Sequence, residues 1–225
     1  MGKDWAKGLT AATDMRIARN GAARRGQRYK TKRQAARSLE WSLELAYGLG
    51  LTATDGCLSR DRRHITFVSK DLDLVETYLR CVGREDARIL PTRTRTGGRV
   101  YRAPFSDASL YDWLFARGIR PAKSLTLGAV EVPPSLLPHF LRGLIDGDGT
   151  IYVHIEWLRD ELRTSYGPNG YVERQVRKGR HDFYRLKFGK DDSLALLPMP
   201  YRDPGWPALQ RKRRKWTSYI GTLRM

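Results

Sequence analysis

The feature that most constrains this chain is a segment that occurs twice. Residues 48–56 read Gly-Leu-Gly-Leu-Thr-Ala-Thr-Asp-Gly, and residues 141–149 read Leu-Arg-Gly-Leu-Ile-Asp-Gly-Asp-Gly. Each copy sets small residues four apart, Gly50 with Thr54 and Gly143 with Gly147, and each ends in Asp-Gly. Residues four apart share one helix face. Small residues on that face let two helices approach backbone to backbone. Two such helices, packed side by side, carry Asp55 and Asp148 to the same end. Two carboxylates there repel each other, and the negative ends of the helix dipoles add to the repulsion. Such a cluster makes sense around a divalent cation, and hard oxygen ligands suit Mg2+.

The flanking pattern repeats as well. Leu39, Leu43, Ala46, Tyr47 and Gly50 recur at helical spacing, with Ser38 as the expected N-cap and Gly56 as a left-handed stop. Arg63–Val68 alternates as a strand. Leu72, Val75, Leu79 and Val82 form a helix stopped at Gly83. Thr92–Thr96 and Arg99–Phe105 flank Gly97-Gly98, the signature of a two-residue hairpin. A helix from about Asp107 stops at Gly118, and a further helix follows Val132-Pro133-Pro134 and ends at Asp148-Gly149. The order then recurs: a strand at Thr150–Val153, a helix through Ile155, Leu158 and Leu162 to Gly167, and strands near Tyr171–Val176 and Phe183–Phe188. Tyr101-Arg102-x-x-Phe105 returns as Tyr184-Arg185-x-x-Phe188. The interval from Gly149 to Gly167 is about nine residues shorter than that from Gly56 to Gly83, roughly one strand and its turn. The second copy is expected to lack the counterpart of Arg63–Val68. The chain divides into a basic N-terminal arm (1–37), a first repeat (38–130) and a shortened second repeat (131–225).

Charge narrows the partner. Lysine and arginine number 42 against 24 acidic residues, a net charge of +18. A polyanion gains counterion-release free energy on such a surface. Arginine suits both phosphate forks and guanine edges. Arg93, Arg95, Arg99, Arg102, Arg174, Arg177 and Arg185 are assigned to the strands, so the sheet surface is the expected contact for phosphates and base edges. Charge alone does not separate a DNA enzyme from a generic RNA binder. The two cysteines, Cys57 and Cys81, form no paired motif, and four scattered histidines complete no zinc set. His64, His139, His154 and His181 show no paired spacing with Asn or Cys, which argues against a histidine-dependent nuclease. No long apolar run marks a membrane span. The start of the chain lacks a signal pattern, so the expected location is soluble and unsecreted, in cytoplasm, nucleoid or organelle.

Residues 141–149 closely resemble the signature that names the LAGLIDADG homing endonucleases. Residues 48–56 keep its frame but carry Ala53 at the first acidic position, Thr52 and Thr54 at apolar or small ones, and Gly48 at the leading Leu. The resemblance extends from about Ser38 to the C-terminus. It implies an α+β fold of two pseudo-symmetric αββαββα repeats whose antiparallel sheets form a saddle over the DNA major groove. It implies metal at Asp55 and Asp148, with Gly56 and Gly149 beside them, and two or three Mg2+ ions at the motif interface. A basic residue near each metal site is carried over to Lys123 and Lys212, although Arg211-Lys212-Arg213-Arg214-Lys215 offers five choices in the second copy.

The implied activity is a monomeric, Mg2+-dependent endonuclease with an internal pseudo-twofold, cutting a long, asymmetric double-stranded target. The chain begins with Met and lacks a terminal His-Asn pair, so an intron-encoded or free-standing form is expected rather than an intein. The alternative is a decayed DNA-binding protein or an RNA-splicing maturase on the same fold. Retention of both aspartates argues for cleavage, and the shortened second repeat argues the other way.

Overall fold

A computed structural model describes residues 8, 10, 12–24, 36–122, 128–147, 155–176, 183–196 and 198–223. The chain divides into two compact units, Met1–Ala35 and Ala36–Met225. In the first, α1 (Met15–Arg24) begins after Asp14, whose carboxylate accepts the Arg16 amide at 2.8 Å. The Arg16 guanidinium also pairs with Asp14 and holds its carboxyl down at about 2.

The second unit is built on two helices. In α2 (Leu43–Thr54) every residue from Leu45 to Ala53 is buried. A helix apolar on all sides belongs in the middle of a fold. Its N-cap is Ser42, which accepts the Leu45 amide at 3.1 Å, and not the expected Ser38. Ser38 and Leu39 instead lead into it as irregular chain. α5 (Leu137–Asp146) starts with a proline in its first turn, where no amide is needed, and packs along α2.

Between these helices in the sequence come the strands of one sheet. β1 (Gly56–Leu58), β2 (His64–Ser69), β3 (Leu90–Arg93) and β4 (Arg99–Ser106) form an antiparallel sheet in the order β1-β2-β4-β3. The short β1 was not anticipated. Gly56 is therefore a strand residue and not a left-handed stop. It is glycine because a Cβ there would sit 2.7 Å from the Thr52 Cα. The Arg93↔Arg99 pair closes a hairpin through Thr94–Gly98, with Gly97 at φ +87°. This is a longer loop with a left-handed glycine, not the expected two-residue turn. α3 (Leu72–Cys81) and α4 (Ala108–Ala116) end where sequence placed their stops, at Gly83 (φ +66°) and Gly118 (φ +101°).

Pairing across the sheet fixes which residues share a face. Leu58, Ile65, Phe67, Ala103 and Phe105 face the core, where Phe67 stacks on Tyr78 at 4.1 Å. Cys57, Thr66, Val68, Val100, Arg102, Pro104 and Thr92 line the opposite face, on which Cys57, Thr92 and Arg102 stand exposed. Arg37, read as the end of the basic arm, ties this unit together. Its guanidinium donates to the carbonyls of Val82 and Gly83, each at 3.1 Å, and to the buried Asp107 carboxylate at 2.6 Å.

Fewer strands are described in the second half of the chain. α6 (Ile155–Tyr166) ends at Gly167 (φ +89°) and packs by Leu158 and Leu162 against β5 (Tyr171–Gln175) and β6 (Phe183–Lys187). Among the described residues the latter two form a two-stranded antiparallel sheet. The strand expected at Thr150–Val153 lies outside the described residues. α7 (Lys190–Leu196) and a connecting segment lead to α8 (Gln210–Leu223), a helix the apolar pattern did not announce. Together these elements make the expected α+β class. No helix among the described residues is long and apolar enough to cross a membrane.

Candidate active site at the paired helix ends

The contact between α2 and α5 is set by glycine. A Cβ on Gly50 would lie 2.3 Å from the Phe140 carbonyl oxygen, and one on Gly143 would lie 2.3 Å from that of Tyr47. A Cβ on Gly147 would strike the Thr54 side chain, its Cβ at 2.7 Å. The small-residue faces read from sequence are thus the contact faces, and both helices finish at one end of the molecule. There Asp55 caps α2, its amide donating to the Leu51 carbonyl at 2.9 Å. α5 stops at Gly147, and its motif continues into Asp148 and Gly149, which lie outside the described residues.

A cavity of about 360 Å3 opens at these helix ends. Asp55, Asp71 and Asp146 line it, with Lys70, Arg211 and Lys212 as its basic groups and Val68 and Val100 from the sheet face opposite the core. Asp71 and Asp146 both take protein donors. Asp71 stands at the N-cap of α3 but makes no capping bond. Its oxygens take the Arg211 guanidinium in a bidentate pair, at 2.9 and 2.8 Å, which lowers its pKa. Asp146 is 1% exposed and accepts three donors: the Tyr47 hydroxyl at 2.8 Å, the Tyr201 hydroxyl, and the Leu209 amide at 2.7 Å. Burial raises its pKa against the opposing pull of these donors.

Lys212 reaches the α5 terminus. Its ammonium donates to the carbonyls of Ile145, Asp146 and Gly147, the last turn of that helix. A cation there satisfies carbonyls that a helix end leaves unpaired and meets the negative end of its dipole. Beneath it, Arg142 is fully buried and donates to the carbonyls of Pro207 at 2.7 Å and Pro200 at 3.0 Å. Its guanidinium also lies 5.0 Å from the ring centres of Tyr47 and Trp206.

Asp55 and Lys212 therefore line one cavity, with Gly56 next to Asp55 in the chain, while Asp148, Gly149 and Lys123 fall outside the described residues. No three His, Cys, Asp or Glu side chains gather as a metal cage among the described residues. Mg2+ is bound through one or two carboxylates and keeps several waters, so an open cavity with Asp55 on its wall suits it. Lys70, Asp71 and Asp146 also line this cavity without having been singled out, and Arg211 was one of the five basic choices in its run. Lys70 and Asp71 follow β2 directly, and only the fold of that strand back against the motif helix brings them here.

The strand arginines do not act as one set. Arg102 and Arg185 stand at matching points of the repeated Tyr-Arg pair. Each is exposed on the face opposite the core-packed residues of its sheet, and the preceding tyrosine points the other way. Arg93, Arg99 and Arg174 have the core-side register but lie beyond the helices' cover and are exposed. Arg95 is in the hairpin loop, not on a strand. Arg177 lies outside the described residues.

No family model matches the chain, and no curated protein does. Solved structures do. The homing endonuclease I-WcaI, bound to its DNA recognition sequence, aligns with a TM-score of 0.51 at 13% identity, over 91% of this chain and 96% of that one. Mesophilic variants of the homing endonuclease I-DmoI give 0.48 at 13% identity, over 72% of this chain and 96% of theirs. Full-length DUF199/WhiA from Thermatoga maritima gives 0.46 at 14% identity, over 82% of this chain and 63% of that one. The first likeness shows the fold: this chain has a LAGLIDADG-like α+β fold.

Proposed function

We propose that this LAGLIDADG-fold chain is a site-specific, Mg2+-dependent endonuclease that cuts double-stranded DNA as a monomer. The observation that carries the reading is the convergence of the two motif helices on an open cavity lined by Asp55 and ringed by Lys70, Arg211 and Lys212. Negative and positive groups so placed match a metal ion and a phosphodiester together. Asp55 and Asp148 would hold Mg2+, with the backbone at Gly56 and Gly149 beside them. A bound Mg2+ lowers the pKa of its water and neutralises charge on the leaving oxygen. Lys70 would face the phosphate, and Lys212, held on the helix carbonyls, would add positive charge beside it. The sheet face opposite the core, with Arg102 on the first repeat and Arg185 on the second, receives the major groove. The net charge of +18 supplies the salt-dependent attraction. Unequal repeats, four strands against two among the described residues, favour a long target without twofold symmetry.

A second reading has its own support. Lys212 spends its donors on helix carbonyls and Arg211 is paired with Asp71, which suits a protein that binds DNA, or RNA as a splicing maturase, without cutting. Incubation with a supercoiled plasmid pool carrying candidate insertion sites separates the two. Linear product in Mg2+, and none in Ca2+ or EDTA, is the expected result. Salt-sensitive binding with intact supercoils in every buffer would move the assignment to the binding protein.

A further inference from the structure

The two halves of the site differ in one buried carboxylate. Asp146 ends α5, and Ala53, 4% exposed, holds the matching position in α2. The Asp146 oxygens are filled by two tyrosine hydroxyls and one backbone amide. Those donors come from three places: Tyr47 on α2, Tyr201 in the connecting segment, and Leu209 immediately before α8. The Leu209 carbonyl in turn accepts the Lys212 amide at 3.0 Å, so the carboxylate grips the first turn of α8. From that turn the Lys212 ammonium returns to the carbonyls at the end of α5. One turn earlier on α5, Arg142 pins Pro200 and Pro207 of the same segment. The contacts form a closed loop: α5 holds the root of α8, and α8 sends a cation back to the end of α5.

We propose that Asp146 is a positioning residue, whose carboxylate clasps the root of α8 and so fixes Lys212 at the cavity in one half of the site only. The proposal rests on the endonuclease reading for its effect on catalysis, though not for the clasp itself. A carboxylate offers its two oxygens to all three donors. An asparagine amide has one acceptor and brings a competing donor. Asp146→Asn therefore loosens α8 at its root without changing side-chain size. Because Ala53 gives the first half no such clasp, the loss falls on one strand of the DNA.

The test uses the full chain. Acetylation by an N-hydroxysuccinimide ester, without DNA or metal, is followed at Lys212 and at exposed Lys215 by mass spectrometry. Lys212 should react slowly in the parent, and about tenfold faster in Asp146→Asn, as expected for loss of a charge-assisted contact. Lys215 should not change. On plasmid substrate, Asp146→Asn should accumulate nicked circles, one strand slowing about tenfold while the other keeps its rate. Tyr201→Phe removes one donor, leaves the ring against Trp216, and should shift both readouts less in the same direction. It carries the test if Asp146→Asn does not fold. Unchanged Lys212 labelling, or equal slowing of both strands, would overturn the proposal. If the parent itself cuts nothing, the endonuclease reading fails, and the labelling still decides whether the clasp exists.

Discussion

Replacing Gly143 by alanine tests the helix contact on which the site is built. In an open helix the change would stabilise by about 1 kcal/mol, since glycine is the poorer helix former. Here the new Cβ would lie 2.3 Å from the Tyr47 carbonyl oxygen and 2.9 Å from both the Gly50 Cα and the Leu51 amide nitrogen. Every one of these atoms is backbone, so no side chain can swing aside. Relief to ordinary van der Waals contact requires the helices to part by roughly an ångström, which opens the buried layer around them. Overpacking of this kind costs about 1–3 kcal/mol, and more where the obstacle is rigid. We expect Gly143→Ala to lose about 3 kcal/mol in urea unfolding, and DNA cleavage to fall further than stability, because the Asp55 end of α2 shifts against α5. Gly189→Ala is the control: nothing lies within 4 Å of its Cβ position, and stability should hold or rise slightly. A Gly143→Ala protein as stable as the parent would refute the close-approach argument.

Other outcomes follow from single contacts. Burial, and then the Arg142 charge beside it, push the His139 imidazole down to about 4, so it stays neutral in the fold. The unfolded chain takes up that proton below about pH 6.5. Stability should therefore be full above pH 6.5 and fall by about 2–3 kcal/mol as pH drops toward 4, a slope that His139→Gln flattens in urea titrations at matched pH. Arg37→Ala removes the 2.6 Å partner of the Asp107 carboxylate, 4% exposed, which keeps Arg84 at 3.6 Å, and should cost about 1–3 kcal/mol by the same method. Arg102→Ala removes an exposed cation from the sheet face opposite the core. It should weaken binding to the mapped target by about 1–3 kcal/mol and relax base preference at one position, as read by competition against point-substituted duplexes.

How far the sequence could be read depended on whether a residue's partner is local. The stops at Gly83, Gly118 and Gly167 were legible because a left-handed glycine acts on its own helix. The meeting faces of α2 and α5 were legible because Gly50 and Gly143 repeat at helical spacing. Ser38 was mistaken for the N-cap because a serine four residues later, Ser42, does the same chemistry nearer the apolar run. β1 is three residues long, too short for its alternation to stand out. Arg37 looked like part of a solvated basic tract because its acceptors, Val82, Gly83 and Asp107, lie far along the chain. The same holds at the site. Asp55 and Lys212, singled out through the motif and the basic run, both line the cavity. Asp71 and Asp146 owe their roles to Arg211, Tyr201 and Leu209, contacts that exist only once α8 has docked.

Strand cleavage by aspartate variants tests the central claim most directly. Asp55→Asn and Asp148→Asn each remove a charge at one motif end without altering size. On a mapped plasmid site in Mg2+, the parent should give linear DNA, and each variant should give none while keeping its Ca2+-supported, salt-dependent binding. Linear product from either variant at the parent's rate would contradict the assignment of the paired helix ends as the cutting centre.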